Sequence, residues 1–394
     1  MIKIWHVATH TTNIGDGALV SGIHRTIRED WEMPVDFISD CLMKYENYMG
    51  DKKYNNDLVD RINDCADLLL IGGGGMLDGG RGDKNAGMGF DLPLELLKKI
   101  RVPVVYYAVG FNLFDNQIYW NIGKLKKYIE FIVSQPNMLF AVRNDGSYER
   151  LYDAFGGRVN GFIEVPDPGL YVPTVDSEHP ELLDDKVNIL IQLAGDNPFS
   201  RYSSEFWKYM PALGKMLLRK RQNKQLRKLG IALQNISVQH DVNYVLCPHL
   251  VRDLTVNGQF ISSIERGFSR FSFNSTGIQR GVEAARNFFD IYKKASLIIG
   301  MRGHSVICGV GLNTPTIALT SHSKVKGFME KVGLSDRIID ISDPRIVERL
   351  EKMVLSVLEN AVEEKNKLKN IYEECRLKTR KFNQSILNLV LNDR

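Results

Sequence analysis

Residues Ala66–Asp78 read Ala-Asp-Leu-Leu-Leu-Ile-Gly-Gly-Gly-Gly-Met-Leu-Asp. A short apolar run without alternation, ended by turn-forming residues, predicts a strand over Ala66–Ile71 with both faces buried. Such strands belong to parallel sheets covered by helices on each side. The four glycines that follow require the backbone to pass close to a partner, either a ligand or the facing domain.

Outward from this stretch the pattern repeats. Ile2–Ala8, Val104–Val109 (VVYYAV) and Met138–Val142 have the same composition. Helical segments separate them, over Gly15–Ile27, Asp57–Cys65, Asp91–Ile100, Gln117–Ser134 and Ser147–Phe155. A proline- and acid-rich stretch, Val165–Lys186, interrupts the alternation and marks the expected domain boundary. Beyond it come strands at Val187–Leu193, Tyr244–Cys247, Leu297–Ile299, Thr316–Leu319 and Ile338–Ile341, and a long basic helical region from Ser203 to Val238. The expected fold class is α/β: two Rossmann-like doubly wound domains, residues 1–175 and 186–343, facing one another across a cleft. Residues 344–394 are expected to be C-terminal helices, at least one packing back on the first domain.

The bulk properties narrow the function. A chain of 394 residues with 44% hydrophobic and 25% charged residues is long enough for two globular cores. A net charge of +4 is too small for a dedicated nucleic-acid binder, so no nucleic-acid partner is expected. The five cysteines form no CxxC pair and no disulfide framework. With no secretory leader and no apolar run of about 20 residues, the expected location is cytoplasmic. The dense basic stretch Lys215–Lys228 (KMLLRKRQNKQLRK) has two readings. It is a solvated helix face, or it draws the protein to anionic lipid headgroups at the inner face of the membrane.

Ligands in doubly wound sheets bind beyond the carboxyl ends of the strands, so the motifs there carry the chemistry. After the first strand, Asn13, Gly15, Asp16 and Gly17 lie in TTNIGDGA. This is a helix cap and turn, or a helix start that holds an anion or sugar hydroxyl. Gly73, Gly74 and Asp78 belong to the glycine run, which lacks both the dinucleotide spacing and the phosphate-loop lysine. Arg143 ends an apolar strand in AVRNDGS. It must pair with a carboxylate such as Asp145, or reach the cleft. The most informative segment is Leu297–Ser305 (LIIGMRGHS), where a buried strand delivers Arg302 and His304 to the start of an apolar helix. An anion is the natural occupant of that spot. Lys324, in TSHSKVK after the next strand, can add a point charge. His249 and Asp253, in CPHLVRD, either meet a second substrate or only orient their loop. His6 and His10 lack the spacing of a helical metal site, and no metal is expected.

This ordered set, NIGDGA, GGGGMLD, VRNDGS, MRGHS, the run to Pro315 and SHSKVKGF, resembles the polysaccharide pyruvyl transferase family and spans most of the chain. The resemblance implies a fold like that of GT-B glycosyltransferases, and phosphoenolpyruvate (PEP) as donor substrate with no further cofactor. It also implies a sugar acceptor on a glycan or on a lipid-linked precursor. It marks Arg143, His304 and Lys324 as residues of the catalytic centre, with Arg302 accompanying His304. The link after Val109 reads GFNLFD, where many relatives carry a glycine-rich turn. Pyruvate ketal formation requires cations for PEP, a proton for its C3 and a base for the sugar hydroxyls. Arg143, Arg302 and Lys324 are the expected cations and His304 the expected acid/base, with Asp16 or Asp78 orienting hydroxyls. The competing expectation is a GT-B glycosyltransferase whose nucleotide sugar uses the same anion site.

Overall fold

The computed structural model describes residues 1–11, 13–41, 55–78, 88, 92–112, 119, 121–157, 161–203, 211–264, 272–321 and 323–392. Thr12, His322 and residues 113–115 of the GFNLFD link, quoted above, lie outside these residues, as does the side chain of Asp78.

Among the described residues twelve strands form two six-stranded sheets. The first contains β1 (Ile2–Ala8), β2 (Val35–Cys41), β3 (Leu68–Asp78), β4 (Val104–Asn112), β5 (Met138–Arg143) and β6 (Ile163–Val165), in the order β2-β1-β3-β4-β5-β6. The second contains β7 (Val187–Gln192), β8 (Val242–Leu246), β9 (Ser272–Ser275), β10 (Leu297–Gly300), β11 (Thr316–Thr320) and β12 (Ile338–Asp340), in the order β12-β11-β10-β7-β8-β9. Every pairing is parallel. This is the doubly wound α/β architecture expected from the apolar runs.

Three strands, β2, β6 and β9, were not expected, and each is an edge strand. An edge strand has a neighbour on one side only, so it needs no continuous apolar run. β2, Val-Asp-Phe-Ile-Ser-Asp-Cys, has one fully buried residue of seven. The glycine run also differs from expectation, because it continues β3 rather than leaving it. Gly72 has φ 154°, and a Cβ there would lie 2.1 Å from the Tyr107 carbonyl oxygen on β4. The close partner of that glycine is therefore the backbone of the neighbouring strand in its own sheet, not a ligand or the facing domain. The helices expected over Asp91–Ile100 and Gln117–Ser134 are shorter among the described residues, at Leu94–Leu97 and Ile122–Ser134.

The order of strands reverses between β1 and β3 in one sheet and between β7 and β10 in the other. At such switch points the connections leave on opposite faces and open a crevice at the carboxyl ends. The helix Ile14–Asp30 after β1 and the helix Gly303–Gly311 after β10 both start there. The terminal helix Ala361–Asn392 lies against both halves of the chain. Its Leu368 and Cys375 join a core with Val306, Phe328 and Met329, and its Phe382, Ile386 and Val390 join one with Ile4, Ile27 and Trp31. Among the described residues no helix is long and apolar enough to cross a membrane.

Candidate active site

The crevice between the two sheets holds a cavity of about 250 Å³ bordered by Arg143, Arg302, His304 and Lys324. Asn13, Asp16, Asp145, Asp196 and His249 border it as well. Arg143 is the last residue of β5, Arg302 lies in the loop after β10, Lys324 comes from the helix Ser323–Lys331 after β11, and Arg201 of the helix Pro198–Tyr202 borders the cavity too.

Arg143 is 4% exposed and ends β5. Its Nη1 donates to Asp167 Oδ2 at 3.0 Å, and its Nη2 lies 3.1 Å from Asp145 Oδ2. The pairing with Asp145 that the sequence suggested is therefore present, and so is the reach into the cleft. Burial alone would make Arg143 easier to deprotonate, but Asp145 and Asp167 outweigh it and hold the guanidinium charged. The arginine fits because Gly110 has no side chain: a Cβ there would lie 2.1 Å from Arg143 Nη2.

His304 reaches the same arginine from the other half, with Nε2 3.4 Å from Arg143 Nη1. A guanidinium can only donate, which assigns Nε2 as the acceptor and puts the ring proton on Nδ1. Burial lowers the imidazole pKa to about 3, and Arg143 and Lys324 push the same way. His304 is thus neutral at physiological pH, with its lone pair on Nε2. The ring lies against the first helix, and a Cβ on Gly15 would be 2.4 Å from Nδ1. Asn13 caps that helix, accepting from the Gly15 amide at 3.0 Å.

Asp16 is the other titrating group. Burial raises its pKa to about 7 even though Arg143, Arg302 and Lys324 pull it down. A carboxyl in this state carries a proton near neutrality and can give it away.

Arg302 is tied into its own half. Its Nε donates to Asp253 Oδ2 at 2.9 Å, and its Nη2 to Asp253 Oδ1 at 2.6 Å and Asp196 Oδ1 at 2.7 Å. Asp253 also accepts from the amides of Gly195, His249 and Leu250. The CPHLVRD segment therefore acts first as a scaffold for Arg302. His249 donates or accepts with Tyr292 Oη at 2.8 Å and packs among Phe288 and Phe289. Burial, with Arg302 and His304 adding to it, keeps it neutral. Lys324 Nζ donates to Asn112 Oδ1 at 2.8 Å, across the two halves.

Of the glycines in β3, Gly75 borders the cavity. Gly73 lies instead against Leu19 and Ile23 of the first helix, and Gly74 against Thr9. Asp167, Asn112 and Asp196 were not singled out from the sequence. Asp167 follows the edge strand β6 in PDPG and caps a short turn through the Gly169 amide at 2.8 Å. Its signal was a carboxylate just past a strand end, hidden because that stretch reads as a linker. Asn112 is the last residue of β4, which runs on into the segment read from the sequence as a link. Among the described residues no group of three or more metal-ligating side chains is gathered.

Solved structures with the same architecture include UDP-GlcNAc 2-epimerase from Neisseria meningitidis bound to UDP-GlcNAc. It is 12% identical, with a TM-score of 0.54 over 99% of this chain and 100% of that one. The UDP-GlcNAc 2-epimerase from Methanocaldococcus jannaschii is 13% identical, with a TM-score of 0.53 over 90% and 92%. MnaA from S. aureus, solved with UDP, is 10% identical, with a TM-score of 0.52 over 96% and 91%. At these identities the likeness is one of fold, and the fold is GT-B-like. No curated protein matches by sequence. A family model described as polysaccharide pyruvyl transferase matches residues 13–323, from the Asn13 cap through the His304 loop to the residue before Lys324. With that match running over more than three quarters of its length, the chain belongs to the polysaccharide pyruvyl transferase family.

Proposed function

We propose that this transferase moves the pyruvyl group of PEP onto two hydroxyls of a sugar, releasing phosphate and leaving a pyruvate ketal. The observation that supports it most is the size and charge of the cavity. About 250 Å³, bordered by the four cations Arg143, Arg201, Arg302 and Lys324 from both halves, suits a small molecule with two anionic groups rather than a nucleotide sugar.

In this mechanism Arg143, Arg302 and Lys324 hold the phosphate and carboxylate of PEP. The forked arginine donors suit either group. Asp16 donates its proton to C3, making the methyl group and leaving C2 electron-poor. A sugar hydroxyl adds to C2 as its proton passes to Nε2 of neutral His304. The C2–O bond to phosphate then breaks, the phosphate departs with the proton held by His304, and a second hydroxyl closes the ring as its proton passes to the Asp16 carboxylate, which restores both groups. Binding an anion beside Asp16 and His304 raises Asp16 further and brings His304 back up from its lowered value, so Asp16 stays protonated and His304 becomes a better base.

The test is direct. The protein is incubated with PEP and isolated candidate acceptors, phosphate release is followed, and products are identified by mass and NMR. A thermal-shift comparison of PEP with a panel of nucleotide sugars accompanies it. Stabilisation by a nucleotide sugar and none by PEP would replace this proposal with the glycosyltransferase alternative.

A further inference from the structure

A second and larger cavity, about 770 Å³, opens at the carboxyl ends of β11 and β12. Arg201 borders both cavities, and Ser323 of the larger adjoins Lys324 of the smaller. Its volume falls in the range of pockets for ligands well above the size of PEP.

The wall is cationic. Arg221, Lys224 and Lys228 border it from the helix Pro211–Gln239, at spacings of three and four that share one helix face. Lys326 borders it from the helix Ser323–Lys331. Arg221 and Lys224 have no ion-pair or hydrogen-bond partner among the described residues. Lys228 donates to the Pro344 carbonyl at 2.9 Å, which leaves its charge unbalanced. Lys326 has an exposed contact with Glu330 at 3.7 Å. Two carboxylates are present, but both serve their own loops. Asp340 accepts from the Ser342 amide at 2.7 Å, and Asp343 pairs with Arg349. Three polar atoms in the same wall, Ser200 Oγ, Ser203 Oγ and Gln225 Oε1, are buried without a hydrogen-bond partner among the described residues. Buried polar groups are ordinarily paired. The unpaired cations ask for more than one negative charge, and the orphaned hydroxyls and amide ask for hydrogen-bonding groups beside it.

We propose that this pocket binds a diphosphate-linked sugar as the acceptor, with the diphosphate against Arg221, Lys224 and Lys326 and the sugar reaching past Arg201 into the smaller cavity. That the sugar is an acceptor rests on the pyruvyl-transfer reading; the diphosphate site itself does not. The basic stretch Lys215–Lys228 then acts on a ligand through one of its faces.

The experiment measures binding by calorimetry to the full chain saturated with PEP, using inorganic diphosphate, geranyl diphosphate and UDP-glucose as probes. Inorganic diphosphate is expected to bind without displacing PEP. Arg221→Gln with Lys224→Gln is expected to weaken it about tenfold or more while PEP affinity changes less than about twofold. Both positions are exposed on a helix surface, so the fold should survive. Tighter binding of geranyl diphosphate than of inorganic diphosphate identifies a lipid carrier as the source. Tighter binding of UDP-glucose identifies a nucleotide carrier, and equal binding means that the diphosphate alone is read. No binding of inorganic diphosphate, displacement of PEP by it, or unchanged affinity in the double variant would each overturn the proposal. Failure of PEP to bind, with diphosphate binding still dependent on Arg221 and Lys224, sinks the pyruvyl reading and leaves this site standing.

Discussion

Arg143 Nη1 and His304 Nε2 are separated by 161 residues of chain and by 3.4 Å of space. One belongs to the first sheet and the other to the helix Gly303–Gly311 that follows β10 in the second, so the pair exists only when the two halves meet. Arg143 is also the partner of two buried carboxylates, Asp145 and Asp167. Removing it outright would strand both, at a cost of about 3–5 kcal/mol in fold stability. The informative substitution is therefore Arg143→Lys, which keeps the charge and loses the fork. It should fold and lose PEP affinity.

His304→Gln should bind PEP and lose turnover. A positioned base contributes roughly 10²–10⁴ in rate, so kcat should fall in that range with little change in the PEP dissociation constant. A folded His304→Gln protein with near-normal kcat would remove the imidazole from the chemistry.

Asp16 gives turnover an alkaline limit. Its proton is held up to about pH 7, so activity should fall about tenfold per unit as pH rises beyond that. The same shift acts on stability with a definite sign. Unfolded, the carboxyl ionises near pH 4; folded, it keeps its proton to about 7. The folded state thus binds more protons between these values, and stability falls as pH rises through them. Asp16→Asn should abolish turnover and raise the Tm at pH 8 relative to the unaltered protein. An unchanged pH profile in a folded, active Asp16→Asn variant would exclude this acid.

Gly15→Ala tests contact rather than charge. The added Cβ would sit 2.4 Å from Nδ1 and 2.6 Å from Cβ of His304, so the imidazole must move. Turnover should drop by more than tenfold while the Tm, read by calorimetry, changes little beyond the ordinary effect of alanine in a helix. Wild-type kcat in this variant would mean that the ring position is not critical.

Lys324→Met removes a cation whose Nζ is fixed by Asn112. If the lysine stabilises developing charge, kcat/KM for PEP should fall about 10²-fold or more, and kcat should carry most of the loss. A loss confined to KM would assign it to binding. Asn112→Ala, which removes one partner of the lysine without deleting it, should give a smaller loss in the same parameter.

Acid should destabilise the protein through a buried histidine pair on the far side of β1. His6 Nδ1 lies 2.9 Å from His24 Nε2, and His6 Nε2 lies 3.1 Å from the Gly72 carbonyl. Burial lowers His6 to about 4 and, with His6 and Arg28 nearby, His24 to about 2. These groups are neutral when folded and protonate near 6.5 when unfolded, so stability is full above 6.5 and declines as pH falls below it. The Tm should drop steadily from pH 7 to pH 4, and His24→Phe, which can stack on Phe37 as His24 does, should flatten that slope. A slope unaltered by this substitution would place the acid sensitivity elsewhere.

The central strands were legible because each is buried on both faces and writes a continuous apolar run, as Leu68–Ile71 and Val104–Val109 do. Edge strands β2, β6 and β9 write no such run, and they were missed. The motif residues Arg143, Arg302, His304, Lys324 and Asp16 do come together around one cavity, because strand ends at two switch points are forced to face each other. The sequence could not show which carboxylate each arginine meets. Asp167 lies 24 residues beyond Arg143 and Asp253 lies 49 before Arg302, and such pairings depend on register between distant segments. Nor could composition reveal that burial leaves His304 without a proton and Asp16 with one.

The terminal helix behaves as a splint. Trp31 Nε1 donates to the Asn383 carbonyl at 2.9 Å, Tyr107 Oη donates to the Asn383 side chain at 2.8 Å, and Arg376 pairs with Asp30 at 2.7 Å. The same helix is rooted at its other end in the core beneath the histidine loop. Any swing that parts the lobes must therefore bend or unseat a rod of 32 residues, or pivot about its length. The axis of opening is in this way drawn by the last tenth of the polypeptide, far from the chemistry it would gate.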